Sequence, residues 1–204
     1  MPDVAARAFK LGAVVLAAGG SSRMGTSKQL LRIGGTSLVA RAADAALRSG
    51  ADPVVVVVGA DAARVRAEVA SLPVLAVLNS QWATGLASSI RVGIDALLEA
   101  EPELHAVLVA PCDQPALSAE VICRLTDLHR STDRIAAARY NGRNGAPAVF
   151  GRADFGALST LTGDAGARAL LNSDVGSVAS AELPELGSDL DTPADYAAWQ
   201  ASRD

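Results

Sequence analysis

A three-layer α/β fold with a mostly parallel central sheet is the class that this sequence predicts. Short apolar runs bounded by turn residues alternate with segments of helical spacing, and the run VVVVV at residues 54–58 is apolar throughout. Alternating strands and helices are typical of right-handed β-α-β crossovers. A strand without polar positions is expected where helices cover both faces of the sheet.

The individual elements follow from these runs. We predict strands at residues 13–16, 54–58, 74–78 and 106–110, and helices at 36–48, 62–70, 86–100 and 119–129. Ser118 is a candidate N-cap for the last of these helices, and Gly50 ends the first. After residue 133 the pattern is looser. There the segments RIAAARY and APAVF indicate two strands around a turn at 141–145, and helical spacing returns at 165–171 and 194–200.

Length and composition favour one domain and exclude several classes of function. At 204 residues and 50% apolar content, we expect a single domain. The net charge of −4 provides no basic face for nucleic acid. Neither a membrane span of roughly 20 apolar residues nor a secretory signal is visible, so we expect a cytoplasmic protein without membrane contact.

Cysteine and histidine offer no obvious chemistry. Cys112 and Cys123 lack the spacing of a zinc site or a disulfide framework, so we expect two buried thiols. His105 and His129 stand apart from other candidate ligands, and we expect structural roles for both.

A loop rich in glycine and serine follows the first predicted strand. In an open parallel sheet, ligands bind beyond the carboxyl ends of the strands, and the amides of residues 19–22 are placed to point at phosphate oxygens there. Arg23 and Lys28 add positive charge for the same anion. The spacing matches neither the dinucleotide fingerprint nor the P-loop. On this stretch alone, a plain strand-to-helix turn is an equal alternative.

Two aspartates complete the candidate site. Asp113, in PCDQP, follows a predicted strand and is placed to hold Mg²⁺ against nucleotide phosphates; the alternative is an aspartate that caps the next helix. Asp191, in DLDTPADY, is a candidate second ligand. Alternatively it precedes a helix that has Thr192 as its cap and Pro193 in its first turn.

Taken together, these motifs resemble the nucleotidyltransferases that mature the molybdenum cofactor, and most closely the molybdenum cofactor cytidylyltransferases. The matching segments, in the family's order, are LAAGGSSRMGTSKQLL at 16–31, NSQWATGLASSIRVGI at 79–94, PCDQP at 111–115, LTGDAGARALL at 161–171 and DLDTPADY at 189–196. Related guanylyltransferases typically have LAGG and DMP where this chain has LAAG and DQP. The resemblance therefore favours cytosine over guanine.

The resemblance implies a Rossmann-like nucleotidyltransferase fold and transfer of CMP from CTP to the phosphate of molybdopterin, with Mg²⁺ and with release of pyrophosphate. Within the single domain it implies a nucleotide-binding half at about 11–115 and an acceptor-binding half at about 116–204, and as a partner it implies a client molybdenum enzyme. Carried over by position, the catalytic residues are Arg23, Lys28 and Asp113, and the metal ligands are Asp113 and Asp191. The nucleotide-binding residues are Leu16, Ala17, Ala18, Gly19, Gly20, Ser21, Ser22, Asn79, Gly85, Ser88 and Ser89.

On the acceptor side, the resemblance implies Gly145, Pro147 and Arg168. Family members often have a histidine between that glycine and proline, whereas this chain has Ala146, so a histidine contact to the pterin is not carried over. For Arg168, a solvated or ion-paired helix residue is an equal alternative.

Other functions share parts of this pattern. A guanylyltransferase, or a nucleotidyltransferase acting on a sugar phosphate or isoprenoid precursor, would use the same loop. From a different class, a nucleotide-binding assembly factor could deliver cofactor to a molybdenum enzyme without catalysis. The joint presence of Arg23, Lys28 and Asp113 favours catalysis.

Overall fold

A seven-stranded sheet forms the middle layer of our computed structural model, which describes residues 9–20, 27–164, 166–172, 177–187, 196 and 199. The strand order is β5-β4-β1-β6-β8-β7-β9. Only β8 runs antiparallel to its neighbours within this described sheet. The strands are β1 (Leu11–Ala17), β4 (Val54–Val58), β5 (Leu75–Leu78), β6 (Ala106–Pro111), β7 (Ile135–Tyr140), β8 (Arg143–Gly151) and β9 (Val178–Glu182).

Helices cover both faces of this sheet. One face packs against α1 (Leu38–Arg48), α2 (Ala62–Val69) and α4 (Ala119–Thr132). The other face packs against α3 (Leu86–Ala100) and the short helices α5 (Phe155–Ser159) and α6 (Arg168–Leu171). The predicted three-layer α/β class is confirmed.

Strand β4 shows why the sequence folds this way. Val54, Val56 and Val58 contribute to the hydrophobic cluster on the α1 face, whereas Val55 and Val57 contribute to the cluster on the α3 face. All five side chains are buried. Because successive side chains of a strand point to opposite faces, a strand between two helical layers must be apolar at every position.

The first half of the chain follows the predicted elements closely, with one difference before α1. Residues 36 and 37 were expected in the helix but form β3 (Thr36–Ser37), which pairs with β2 (Arg32–Ile33) in a small separate hairpin. The helix then begins at Leu38, where the Ser37 side chain accepts a hydrogen bond from Ala40 N. This arrangement satisfies a backbone donor that the first helical turn cannot pair.

The second half differs more. The predicted turn at 141–145 is a two-residue turn, in which Asn141 and Gly142 have φ of 51° and 75°, so Gly145 lies within β8. Strand β9 was not predicted, because its sequence VASAE includes Ser180 and Glu182 and so forms no continuous apolar run; Ala181 is its one buried residue. Helix α6 covers only the end of the predicted 165–171 segment, and most of the helix predicted at 194–200 lies outside the described residues.

Two smaller expectations can be compared with the structure. Ser118 caps α4 as predicted, since its hydroxyl accepts from Val121 N. Cys112 is buried, but the expectation of a second buried thiol was wrong, because Cys123 lies on an exposed position of α4. Among the described helices, we find none with the length and hydropathy needed to cross a membrane.

The contact between α3 and the sheet can be tested at Gly93. A Cβ added there would lie 2.4 Å from Val14 Cγ1 and 3.1 Å from Val57 Cγ2. We expect Gly93→Ala to lower the free energy of unfolding by about 1–3 kcal/mol through overpacking, although alanine is the better helix former. Chemical denaturation measures this change.

Gly156, in α5, is the matched control, because an added Cβ there meets no atom within 4 Å. Gly156→Ala should leave stability unchanged or raise it by up to about 1 kcal/mol. Equal losses in the two variants would contradict tight packing of α3 as the cause.

Candidate active site

Loops from several strands meet at one edge of the sheet. The parallel strands β1, β4, β5 and β6 all reach this edge with their carboxyl ends. Strand β8 runs the other way, so its first residues lie at the same edge, beside the ends of β6 and β7. Ligands of open α/β sheets bind at this edge, which we call the active edge. The fold thus brings the glycine loop, the PCDQP segment and the β7–β8 hairpin together.

An ion pair between Lys28 and Asp113 lies at this edge. Lys28 Nζ is 2.7 Å from Asp113 Oδ2, and the two side chains are 18% and 24% exposed. Asp113 follows β6, and Lys28 begins the short 3₁₀ turn Lys28–Leu30 after the glycine loop. Because Ser118 caps α4, Asp113 does not act as the cap of that helix. The structure therefore joins two of the three predicted catalytic residues, while Arg23 lies outside the described residues.

The beginning of the glycine loop is held from three sides. Ala17 and Ala18 are buried at the end of β1, whereas Gly19 and Gly20 are exposed. Gly19 O accepts a hydrogen bond of 2.7 Å from Gln29 Nε2, and Ala18 O accepts one of 3.1 Å from Ala60 N. The chain is thus fixed just before Ser21 and Ser22, which lie outside the described residues. Leu16, at the same strand end, is partly buried.

An aromatic side chain explains the glycine at position 20. A Cβ added to Gly20 would lie 3.1 Å from the ring of Trp82, which also packs closely against Gly59 at the end of β4. A larger residue at position 20 would require the loop or the indole to shift by a few tenths of an ångström. Sequence reasoning did not single out Trp82, because a tryptophan after a strand has no distinctive signal of its own.

Asp61, which sequence reasoning also missed, holds the far end of the loop at Ser27. Ser27 Oγ donates a 2.5 Å hydrogen bond to Asp61 Oδ2, which also accepts from Arg64 Nη1 at 3.0 Å. Asp61 follows β4 and directly precedes α2. Its position after a parallel strand was a usable signal, since that placement also singled out Asp113.

Asn79, Ser88 and Ser89 form a buried polar cluster. Asn79 Nδ2 donates to Ser88 Oγ at 2.8 Å and to Ser89 Oγ at 3.0 Å, and Asn79 Oδ1 accepts from Gln81 N at 2.9 Å. All three side chains are nearly inaccessible. These bonds hold the backbone between β5 and α3, so nucleotide contact by their side-chain atoms would require the bonds to be exchanged. Their predicted nucleotide-binding role stays a prediction.

Gly85 connects this segment to the second half of the chain. It has a φ of 115°, and an added Cβ would lie 2.6 Å from the carbonyl of Gly163. Gly163 O accepts from Ala87 N at 3.1 Å, and Arg91 Nη1 donates to Leu161 O. The LTGDAGARALL segment therefore packs against the start of α3, and only glycine fits at position 85.

The predicted acceptor residues are less closely grouped. Gly145 and Pro147 lie in β8 at the active edge, and an added Cβ on Gly145 would be 2.5 Å from the Tyr140 hydroxyl. Arg168 is exposed at the start of α6, and its acceptor role stays a prediction. Asp191, the predicted second metal ligand, lies outside the described residues.

Cys112, beside Asp113, is a structural thiol. Burial raises the pKa of its thiol far above the usual range, and the negative charge of Asp113 adds to this effect. The thiolate is the reactive and metal-binding form of cysteine. Cys112 is therefore unsuited to act as a nucleophile near neutral pH.

The family is shown by comparison with known proteins. Residues 13–179 match the model of the MobA-like NTP transferase domain. The chain belongs to the MobA-like NTP transferase family. This confirms the predicted Rossmann-like nucleotidyltransferase fold and the nucleotidyltransferase class. The matched range, 13–179, includes every described candidate residue at the active edge.

The chain is also similar to individual proteins over most of its length. The nicotine blue oxidoreductase of Paenarthrobacter nicotinovorans is 40% identical over 167 residues, which cover 78% of this chain and 79% of that protein. The Rv0371c protein of Mycobacterium tuberculosis is 31% identical, with a TM-score of 0.82 over 95% of this chain and 99% of that one. A structure of Rv0371c in complex with manganese is 29% identical over the same shares, with a TM-score of 0.75.

The different environments of the two cysteines predict different reactivity. With Ellman's reagent at neutral pH, we expect fast reaction at the exposed Cys123 and slow reaction at Cys112, because burial both shields the thiol and raises its pKa. Cys123→Ser should remove the fast phase, whereas Cys112→Ser should leave it unchanged. A fast phase that persists in Cys123→Ser would contradict the buried position of Cys112.

Proposed function

We propose that this MobA-like NTP transferase moves CMP from CTP to the terminal phosphate of molybdopterin and releases pyrophosphate. Family membership supports nucleotidyl transfer in general. The observation that carries the proposal for this chain is the Lys28–Asp113 pair, held beside the glycine loop at the carboxyl ends of β1 and β6. The choice of cytosine and of the pterin rests on the resemblance of LAAG and DQP to the cytidylyltransferases.

The proposed reaction needs little acid-base chemistry. An oxygen of the acceptor phosphate attacks the α-phosphorus of CTP, the bond between the α-phosphorus and its bridging oxygen breaks, and pyrophosphate leaves with the electron pair. A phosphate monoester has a second pKa of about 6, so the nucleophile is largely ionised near neutral pH. The main barriers are repulsion between the anions and charge on the departing pyrophosphate.

The residues at the active edge address those barriers. Lys28 provides a mobile positive charge that can exchange Asp113 for a phosphate oxygen. The exposed Gly19 and Gly20 allow close approach of the backbone to the nucleotide. Arg23, which lies between Gly20 and Lys28 in the sequence, is proposed as a second phosphate ligand. Preorganised donors of this kind stabilise the charge that develops in the transition state.

Asp113 also fits a divalent cation. It offers carboxylate oxygens, the donor type that Mg²⁺ and Mn²⁺ prefer, and Mg²⁺ is commonly held by one or two carboxylates together with substrate phosphates. The Rv0371c complex with manganese supports a divalent metal in a similar protein. When bound, Mg²⁺ would neutralise phosphate charge. We propose Asp113 as its ligand, with Asp191 as a second.

A second candidate function comes from the relative named nicotine blue oxidoreductase, which is 40% identical. That name raises reduction of a planar heteroaromatic compound as an activity of this chain. Incubation with nicotine blue and NADH or NADPH tests it directly through loss of the nicotinamide absorbance. Reduction without any pyrophosphate release from CTP and molybdopterin would replace the primary proposal.

Nucleotide preference is the first prediction of the proposal. We expect CTP with Mg²⁺ to raise the melting temperature more than GTP or ATP, since a ligand at 100 times its dissociation constant stabilises a fold by about 2.7 kcal/mol. Thermal unfolding with each nucleotide, with and without Mg²⁺, measures this. Preference for GTP would indicate a guanylyltransferase. Stabilisation by CTP without pyrophosphate release would indicate an assembly factor, and release with another phosphate acceptor would indicate a different substrate.

The second prediction concerns the ion pair. Lys28→Met should lower kcat about 10²- to 10³-fold, the loss expected for one preorganised donor. Asp113→Asn should cause a larger fold-decrease in kcat than in the affinity for CTP. Pyrophosphate release from CTP and molybdopterin measures both.

Lys10 is the matched control, because its Nζ is also 2.7 Å from a carboxylate oxygen, that of Glu101, but it precedes β1 at the opposite edge of the sheet. Lys10→Met should retain full activity. Similar losses in Lys10→Met and Lys28→Met would show that the effect reflects ion-pair stability and not catalysis.

A further inference from the structure

Gln114, the residue after Asp113, has an unusual set of contacts for a residue in a catalytic loop. Its side chain is only 3% exposed. Its Nε2 lies 3.1 Å from the Tyr140 hydroxyl, 3.1 Å from Ala146 O and 3.4 Å from Leu186 O. These acceptors belong to β7, to β8 and to the 3₁₀ turn Pro184–Gly187. Among the described residues, the hydrogen bonds of this amide therefore all go to the second half of the chain.

Adjacent side chains of the PCDQP loop thus have different partners. Asp113 pairs with Lys28 on the nucleotide side, and Gln114 bonds to the β7–β8 hairpin on the acceptor side. We propose that Gln114 is a positioning residue that fixes the acceptor hairpin relative to the Lys28–Asp113 pair. The inference deepens the proposed function and rests on it for the identity of the acceptor.

The local chemistry fixes the orientation of the amide. If the amide were rotated by half a turn, its Oε1 would face the carbonyl oxygens of Ala146 and Leu186, which offer no proton. In the observed orientation, Oε1 is buried and has no hydrogen-bond partner among the described residues. A buried acceptor without a donor is destabilising. A glutamine at this position is therefore explained by the hydrogen bonds that its N–H groups donate to the β7–β8 hairpin.

The hairpin side of the contact is equally constrained. The Tyr140 hydroxyl donates a 2.8 Å hydrogen bond to Ala146 O, so the carbonyl receives both the phenol and the Gln114 amide. Gly145 leaves room for that hydroxyl, since an added Cβ would be 2.5 Å from it. Gln114, Tyr140 and Ala146 are thus hydrogen-bonded to one another in pairs, beside the predicted acceptor residues Gly145 and Pro147.

This placement gives the DQP motif a role distinct from direct base recognition. The Gln114 amide is turned towards acceptor-half groups and is almost inaccessible. Any effect of this residue on the choice between cytosine and guanine would be indirect. Its direct effect is on where the acceptor phosphate meets the nucleotide.

A second buried glutamine provides a matched control. Gln29 is 5% exposed, and its Nε2 donates to Gly19 O in the nucleotide loop at 2.7 Å. Gln29→Met and Gln114→Met make the same chemical change in two buried positions, one on each side of the active edge. A role in general stability would give both variants the same kinetic profile.

We therefore compare these variants in pyrophosphate release from CTP and molybdopterin and in thermal stabilisation by CTP with Mg²⁺. Gln114→Met should retain CTP stabilisation while its kcat/KM for molybdopterin falls by about tenfold or more, since misplacement of a reactant by about 1 Å is costly. Gln29→Met should lose CTP affinity. Equal losses of CTP and acceptor function in Gln114→Met, or no loss, would overturn the inference.

Tyr140→Phe provides a second variant, because it removes the hydroxyl partner and leaves Gln114 in place. It should reproduce the acceptor defect with CTP stabilisation intact. Should Gln114→Met not fold, this variant decides: full acceptor activity in Tyr140→Phe overturns the inference.

A ligand-free measurement separates this inference from the proposed function. In protein with ¹³C-labelled tyrosine, assigned with a Tyr196→Phe variant, Asp113→Asn should move the Tyr140 ring resonance in the wild-type background. The same substitution should have no such effect in the Gln114→Met or the Gln114→Leu background. A shift in all backgrounds, or in none, contradicts the coupling. Lack of pyrophosphate release by the wild type would instead refute the proposed function.

Discussion

The pairing of β1 with β6 is the constraint on which the active edge depends. Its register places Leu16, at the end of β1, opposite Pro111, at the end of β6. The glycine loop and the Asp113 loop therefore leave the sheet side by side, and Lys28 can reach Asp113. Both faces of these strands are buried under helices, so a slip of one residue would move every side chain to the opposite helical layer. Hydrophobic packing thus fixes the position of a polar site.

This dependence explains which features could be predicted from the sequence. The strands of the first half were predictable because each is an apolar run between turn residues, and VVVVV matches β4 residue for residue. Asp113 and the glycine loop were predictable because they directly follow such strands. The start of α1 was less predictable, because Ser37, which caps this helix, is also the last residue of β3 in the β2–β3 hairpin.

Other features depended on tertiary contacts that leave little trace in local sequence. Strand β9 mixes small, polar and charged residues and shows no apolar run, and it is defined by its pairing with β7. Gln114 was identified only as part of a motif, since its partners Tyr140 and Ala146 are 26 and 32 residues away along the chain. The roles of Trp82 and Asp61 likewise depend on tertiary contacts, since Trp82 lies against Gly20 and Asp61 accepts a hydrogen bond from Ser27. The functional roles of Asn79, Ser88 and Ser89 stay predictions, because the fold already uses their side chains for internal bonds.

The reversed direction of β8 has a consequence for how such a protein can change. Because β8 runs antiparallel to β6, the two-residue turn at Asn141 and Gly142 projects from the same edge as the catalytic loops, while the buried part of β8 lies behind it. Insertions in an exposed hairpin turn are tolerated far better than changes in a buried strand. The hairpin can therefore be lengthened or replaced without altering the strands that hold the glycine loop and Asp113. The architecture places a turn that tolerates change beside loops whose positions are fixed by the core.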